Sequence, residues 1–166
     1  MCQDESGKSN WQIPEFFAKQ ASNNQKWDFS YVDTEISNGI ATITINRPEA
    51  MNALNETVIH QLGIAVDAVN SNNEVHTMVL DGAGKAFIAG ADVKFFVDKI
   101  RSDSIPDIVE FTSNGHKVLN SIENSPKTTI ALTTGLALGG GLELALCCDY
   151  RIGTVSYTHL TLPTNC

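Results

Sequence analysis

The sequence predicts an α/β fold, and three observations carry that expectation. β-like runs at residues 33–37, 40–46, 75–80, 128–134 and 150–153 alternate with segments whose apolar residues recur at helical spacing. Their order is hairpin, helix, strand, helix, helix, strand, helix, strand, which is the alternation of an α/β protein. Finally, Gly139-Gly140-Gly141 stands between an extended run and an apolar helical segment. Glycine loses the most backbone freedom on folding, so three in a row mark a turn where backbone must approach something closely.

Residues 1–30 are polar and weakly patterned. Pro14 suits the first position of a short helix through Gln20, and Asn23-Asn24-Gln25 then reads as a linker. Trp11, Phe16, Phe17 and Trp27 give this region apolar groups to dock with. Asn38-Gly39 suits the positive φ angles of a type I′ hairpin turn joining the first two strands. In the second strand Ala41, Ile43 and Ile45 share one face, and Ile40, Thr42 and Thr44 the other. Pro48 ends that strand, so residues 47–54 form a loop. Asn55 caps a helix whose apolar face is Val58/Ile59, Leu62, Ala65/Val66 and Val69. Residues 75–80 form a short strand, 81–85 turn the chain, and 86–90 carry it on. A helix begins within residues 91–97. Ser104 and Pro106 open a longer one with Ile108, Phe111, Val118/Leu119 and Ile122 on one face, and Ser125-Pro126-Lys127 ends it. The strand 128–134, the glycine turn, a helix over 142–148 and the strand 150–153 follow.

A chain of 166 residues with 42% hydrophobic content is large enough for one domain with a sizeable core. Its net charge of −8 disfavours a general nucleic-acid or anionic-membrane binder, and an anionic ligand needs locally placed Lys or Arg. No apolar run approaches membrane-spanning length, and the polar start Met1-Cys2-Gln3-Asp4-Glu5 does not read as a signal peptide. The four cysteines, Cys2, Cys147, Cys148 and Cys166, contain no CxxC pair; buried free thiols in a reducing cytosol fit better than a vicinal redox pair. His60, His76, His116 and His159 make no ligand spacing, so no metal site is expected. The segment Gly82-Ala83-Gly84-Lys85 lacks the phosphate-loop pattern, and neither GxGxxG nor GxSxG occurs.

Chemistry concentrates at Gly135-Leu136-Ala137-Leu138-Gly139-Gly140-Gly141-Leu142-Glu143. A helix start presents unpaired N–H groups and a partial positive charge. A carboxylate in that first turn, Glu143, sits beside those donors, an arrangement able to stabilise an oxyanion while a proton moves. The plainer reading is a tight turn in which Glu143 only complements the helix dipole.

Two segments, Lys85-Ala86-Phe87-Ile88-Ala89-Gly90-Ala91-Asp92-Val93-Lys94 and the glycine stretch through Glu143, resemble the two signature loops of the enoyl-CoA hydratase/isomerase (crotonase) family. Asn46-Arg47-Pro48-Glu49-Ala50-Met51-Asn52-Ala53-Leu54 resembles its N-terminal coenzyme A loop. The resemblance runs from about Val32 to Thr154 and implies the N-terminal part of a crotonase-type spiral of ββα units. It implies an acyl-CoA thioester whose carbonyl oxygen receives the backbone N–H groups of Ala91 and Gly140, with Glu143 as general acid/base. It places Ala50, Ala53, Ala89, Asp92, Val93 and Lys94 along the substrate, with Arg47, Lys85 and Lys94 as candidates for the CoA phosphates. No cofactor is implied, coenzyme A being part of the substrate, and the implied parent is a cytoplasmic homotrimer or hexamer. Thr128 stands where the family usually has proline, and Thr134 where it usually has asparagine.

Hydratases of this family use a second glutamate in a downstream Pro-Glu segment, and no such segment follows Glu143 here. Residues 155–166 do not resemble the family and are expected to be a non-native tail on a truncated domain, 31–154. Residues 1–30 are expected to be a linker or the remnant of an upstream unit, since Lys26-Trp27-Asp28-Phe29 is similar to the junction of fusions with a 3-hydroxyacyl-CoA dehydrogenase. The expected activity is hydration of a 2-enoyl-CoA to a 3-hydroxyacyl-CoA, with the fragment itself expected to be inactive. The alternatives are an enoyl-CoA isomerase and a non-catalytic CoA-thioester-binding member of the fold.

Overall fold

The computed structural model describes residues 24–153. The expected helix after Pro14, the aromatic residues Trp11, Phe16 and Phe17, and the tail 155–166 lie outside the described residues.

Within them the chain runs three times through strand, strand and helix. Strands β2 (Val32–Ser37) and β3 (Ile40–Ile45) precede helix α1 (Glu56–Ser71). Strands β4 (Thr77–Gly82) and β5 (Ala86–Ile88) precede α2 (Val93–Arg101) and α3 (Ile105–Glu123). Strands β6 (Thr128–Thr133) and β7 (Leu136–Ala137) precede α4 (Gly140–Cys147), and β8 (Tyr150–Gly153) follows. One strand was not foreseen. The residues read as a linker begin β1 (Asn24–Asp28), which pairs antiparallel with β2 and buries Trp27 in the core. Asn, Gln and Lys are weak β-formers, so the open edge of β2 determines this strand rather than its own propensity.

The main sheet has the order β1-β2-β3-β4-β6-β8, antiparallel across β1-β2-β3 and parallel from β3 to β8. The hairpin turns at Asn38 and Gly39, with φ of 52° and 75°, as a type I′ turn requires. Ala41, Ile43 and Ile45 are buried, and the alternate positions of β3 are not. Asn55 caps α1, its side chain accepting from the Val58 N–H at 2.9 Å. The residues expected on the inner face of α1 are all buried.

A second, smaller sheet consists of β5 and β7 alone, running parallel. Each of its strands leaves its predecessor through a tight glycine-bearing turn, with Gly84 at φ 84° and Gly135 at φ 122°. Helix α2 packs by Phe95 and Phe96 onto Phe111 of α3, with centroids 4.9 and 5.5 Å apart. Lys99 joins three helices: its Nζ lies 2.6 Å from Asp107 Oδ2 and 3.5 Å from Glu56 Oε1. Thr128, at the position where the family favours proline, donates its N–H to His76 O at 3.0 Å, a bond proline would forfeit.

At the end of α4, Cys147 is partly buried and Cys148 buried, and both are free thiols. Burial first, and then the neighbouring Cys147 and Asp149, push the Cys148 thiol up to about 12. The thiolate is the reactive species, and at pH 8 roughly one molecule in ten thousand would carry it at Cys148. The native protein treated with iodoacetamide at pH 8 should therefore leave Cys148 unmodified by peptide mass spectrometry. Rapid labelling there would contradict the burial.

Candidate active site

Two loops leave the carboxyl ends of β5 and β7, where ligands bind in parallel sheets. Because the strands are paired, the loops start side by side. Each reaches a site-bearing residue three positions on, Ala91 after Ile88 and Gly140 after Ala137. Leu138 donates its N–H to Ile88 O at 3.0 Å, continuing the pairing past β7. Gly139, at φ 47°, would place a Cβ 3.8 Å from the Gly90 Cα, so the loops remain in close approach beyond the strands.

Leu54, from the 47–54 loop, touches both. Its N–H donates to Gly90 O and its carbonyl accepts from Asp92 N–H, each at 2.8 Å, forming a one-residue parallel bridge opposite Ala91. In such a bridge the bonds are made by the neighbours of Ala91, so the N–H of Ala91 itself turns away from Leu54. On the other side, a Cβ built on Gly140 would stand 3.1 Å from Leu54 Cδ1. Gly140 opens α4, and among the described residues neither its N–H nor that of Ala91 has a hydrogen-bond acceptor. The first N–H groups of a helix lack intrahelical partners, which is where an anionic oxygen is best received.

Glu143 is exposed and lies one helical turn beyond Gly140, its own N–H bonded to Gly139 O at 3.0 Å. Residues three apart share a helix face, and side chains lean toward the helix N-terminus, so its carboxylate stands over the Gly140 end of the helix. Plain charge complementarity to the dipole explains its place equally well.

The other expected residues divide. Ala50, Ala53 and Ala89 are half-buried on the loops around Leu54, with Ala89 N–H donating to Met51 O at 3.1 Å. Val93 and Lys94 are exposed at the start of α2, and Lys85 is exposed. Asp92 caps α2 by accepting from Lys94 N–H at 3.1 Å. Arg47, expected as a phosphate candidate, is committed elsewhere. Its Nη1 lies 2.8 Å from Asp92 Oδ2 and donates to Ala53 O at 3.1 Å, and its guanidinium covers the Tyr31 ring at 5.6 Å. Burial alone would raise the Asp92 carboxyl, but Arg47 and the N–H groups of Lys94 and Phe95 outweigh it and hold the group below its usual range.

Asn52 carries a role that spacing did not disclose. It is fully buried at φ 58°; its Nδ2 donates to Ala83 O at 2.9 Å and Ala86 O at 2.8 Å, and its Oδ1 accepts from Arg47 N–H at 2.9 Å. An Asn inside an alanine-rich loop was the available signal, since Asn tolerates the left-handed region and bonds backbone.

A cleft of about 550 Å³ between α1 and α3 shares no residue with the two loops. Its lining includes Glu56, Asp107 and Glu110, a charge unsuited to a polyanionic ligand. Among the described residues no helix is long and apolar enough to cross a membrane, and no cluster of metal-ligating side chains occurs.

The family model for enoyl-CoA hydratase/isomerase matches residues 35–157. A crotonyl-CoA hydratase from Syntrophomonas wolfei is 45% identical over 114 residues, which is 68% of this chain and 42% of that protein. A short-chain-enoyl-CoA hydratase from Clostridium acetobutylicum is 37% identical over 116 residues, 69% of this chain and 43% of that one. The solved enoyl-CoA hydratase of Bacillus halodurans superposes with a TM-score of 0.71 at 32% identity, covering 75% of this chain and 50% of that one. An enoyl-CoA hydratase/carnithine racemase from Magnetospirillum magneticum gives 0.71 at 33% identity, covering 82% and 49%. The chain thus spans less than half the length of these curated relatives.

Proposed function

The chain belongs to the enoyl-CoA hydratase/isomerase family, and on that premise we propose that Ala91 and Gly140 form the oxyanion hole of an enoyl-CoA hydratase. The observation that carries the reading is the pair of backbone N–H groups without acceptors among the described residues, on loops held together by Leu54. The substrate is a 2-enoyl-CoA thioester. Its carbonyl oxygen accepts both N–H groups, so negative charge that develops there as C3 is attacked meets fixed donors. Fixed donors favour the enolate-like oxygen over the ground-state carbonyl, and each is worth about 3–4 kcal/mol of activation energy.

Water adds its oxygen to C3 and a proton is delivered to C2, giving the 3-hydroxyacyl-CoA. Glu143 holds and transfers a proton at the water, from a helix face beside the oxyanion donors. Small residues at Ala50, Ala53 and Ala89 let the thioester chain approach backbone, and the backbone of Asp92, with Val93 and Lys94, lines its path at the start of α2, the Asp92 carboxylate being turned to Arg47. Lys85 and Lys94 are the exposed cations placed for CoA phosphates, in a chain whose overall charge is unfavourable to them. The reading calls on no cofactor besides the coenzyme A of the substrate. A carboxylate at position 143 favours hydration over double-bond isomerisation.

The test is Glu143→Gln in a complete parent protein, assayed with crotonyl-CoA. General acid–base groups contribute about 10²–10⁴-fold, so turnover should fall at least about a hundredfold while CoA-ester affinity changes little. Near-normal turnover in that variant would overturn the role of Glu143. A wild-type chain that does not bind a CoA thioester would overturn the site.

A further inference from the structure

We infer that the Arg47–Asp92 ion pair is a positioning latch for the Ala91 N–H, so that the Asp92 side chain acts on the reaction without touching substrate. The inference rests on the oxyanion reading above for its functional meaning, and on the geometry for its existence.

Ala91 is held by a single bridge, not by a strand ladder. The two backbone bonds that flank it, Leu54 N–H to Gly90 O and Asp92 N–H to Leu54 O, determine where its N–H points. Besides it the two loops share, among the described residues, one further backbone bond, Ala89 N–H to Met51 O at 3.1 Å on the near side, and no ladder continues past Asp92. The side-chain bonds around it supply what rungs would. Asp92 Oδ2 receives Arg47 Nη1 at 2.8 Å, and the same Nη1 reaches Ala53 O at 3.1 Å. One guanidinium nitrogen therefore spans from the residue before Leu54 to the residue after Ala91, across the bridge. The other carboxylate oxygen is bound to Lys94 N–H at 3.1 Å, which joins the latch to the first turn of α2.

Arg47 is itself held from three directions. Its N–H donates to Asn52 Oδ1 at 2.9 Å, its carbonyl accepts from Asn52 N–H at 2.9 Å, and its guanidinium lies over the Tyr31 ring. Glu49 Oε1 is 3.8 Å from its Nε. The side chains of Arg47 and Asp92 are only 16% and 18% exposed, so the pair is largely shielded from solvent, unlike a surface ion pair. The depressed carboxyl of Asp92 agrees with an ionised, engaged group.

Two readouts test the latch. Asp92→Asn keeps a residue able to cap α2 but removes the charge. Amide hydrogen exchange should accelerate at least about tenfold at Leu54 and Asn-substituted position 92, while Ile43 and Leu80 in the main sheet keep their rates. Cinnamoyl-CoA serves as the optical probe, because its absorption moves to the red when the thioester carbonyl is polarised. In Asp92→Asn and in Arg47→Gln that shift should shrink by half or more, with a dissociation constant within about threefold of wild type. The double variant should lose no more than either single one, since the two groups act as one unit. A merely structural ion pair would weaken binding and polarisation together, or neither.

Unchanged exchange at Leu54, or a full red shift in Asp92→Asn, would overturn the latch. If Asp92→Asn unfolds, so that the main-sheet amides also exchange freely, Arg47→Lys decides with its charge and stem retained. Unaltered exchange at Leu54 and Asp92 in that variant overturns the proposal. A wild-type chain that binds cinnamoyl-CoA without any red shift defeats the oxyanion reading instead, and the exchange measurement still judges the latch.

Discussion

Gly141→Ala should lower stability by about 3 kcal/mol, the upper end of what overpacking costs when no side chain can yield. A Cβ at this position would stand 2.2 Å from Ile88 O and 2.6 Å from Ile88 Cβ. The obstacle is backbone of β5, fully buried and engaged, since Ile88 O accepts Leu138 N–H at 3.0 Å. Relief requires α4 to move off β5, which breaks that bond and carries Gly140 away from Leu54. For a folded unit of this size the midpoint of thermal unfolding should fall by roughly 10 °C. The matched control is Gly140→Ala, whose Cβ meets Leu54 Cδ1 at 3.1 Å, the end of a flexible side chain, and which should cost far less. Equal melting of the two variants would show that α4 does not approach β5 so closely. Thioester polarisation should fall in Gly141→Ala even below its melting temperature, because the displaced element bears a proposed oxyanion donor.

That contrast shows what sequence could and could not disclose. The triple glycine announced close approach, but only the packing tells that Gly141 faces β5, Gly140 a leucine tip, and Gly139 the opposite loop. Elements with a repeating pattern were legible. Ile43 and Ile45 alternate with Thr42 and Thr44, and Asn55 precedes a helical repeat, because a buried face imposes its period on the residues that fill it. Strand β7 has two residues and no period to read, so the second sheet was invisible although its two outgoing loops were the most distinctive stretches of the chain. Strand β1 was missed for the converse reason: apart from Trp27 its residues carry no β preference, and a neighbour's edge recruits them.

At the site, the family resemblance placed Ala91 and Gly140 on loops that the structure brings together. It did not indicate what holds them there. Arg47 read as a cation for phosphate because charge in a loop is visible in sequence and its partner is not. Asp92 lies 45 positions on, and only folding places the two within 2.8 Å. Charge patterning ranks exposed cations well but says nothing of a cation that the fold has already neutralised.

Asn52→Ala should be at least as damaging as the glycine substitution, for a different physical reason. Three polar partners lose their bonds at once: the carbonyls of Ala83 and Ala86 and the N–H of Arg47. A buried group left without its partner costs about 1–3 kcal/mol, and alanine at φ 58° adds about 1 kcal/mol of left-handed strain that asparagine tolerates better. Water reaching the two less buried partners limits the sum, which should come to about 3–4 kcal/mol by denaturant unfolding, read as a lower midpoint at constant slope. Asn52→Gly separates the contributions, because it removes the bonds and relieves the strain. Asn52→Asp keeps only the acceptor and sets a carboxylate against two carbonyls, so it should be no better than Ala. The loss should reach function through geometry alone. Asn52 secures the loop to the β4–β5 turn, the loop delivers Leu54, and Leu54 pairs with Ala91 and abuts Gly140. A variant within about 0.5 kcal/mol of wild type would mean that this loop is held chiefly by Arg47, and the ordering of supports proposed for the site would have to be reversed.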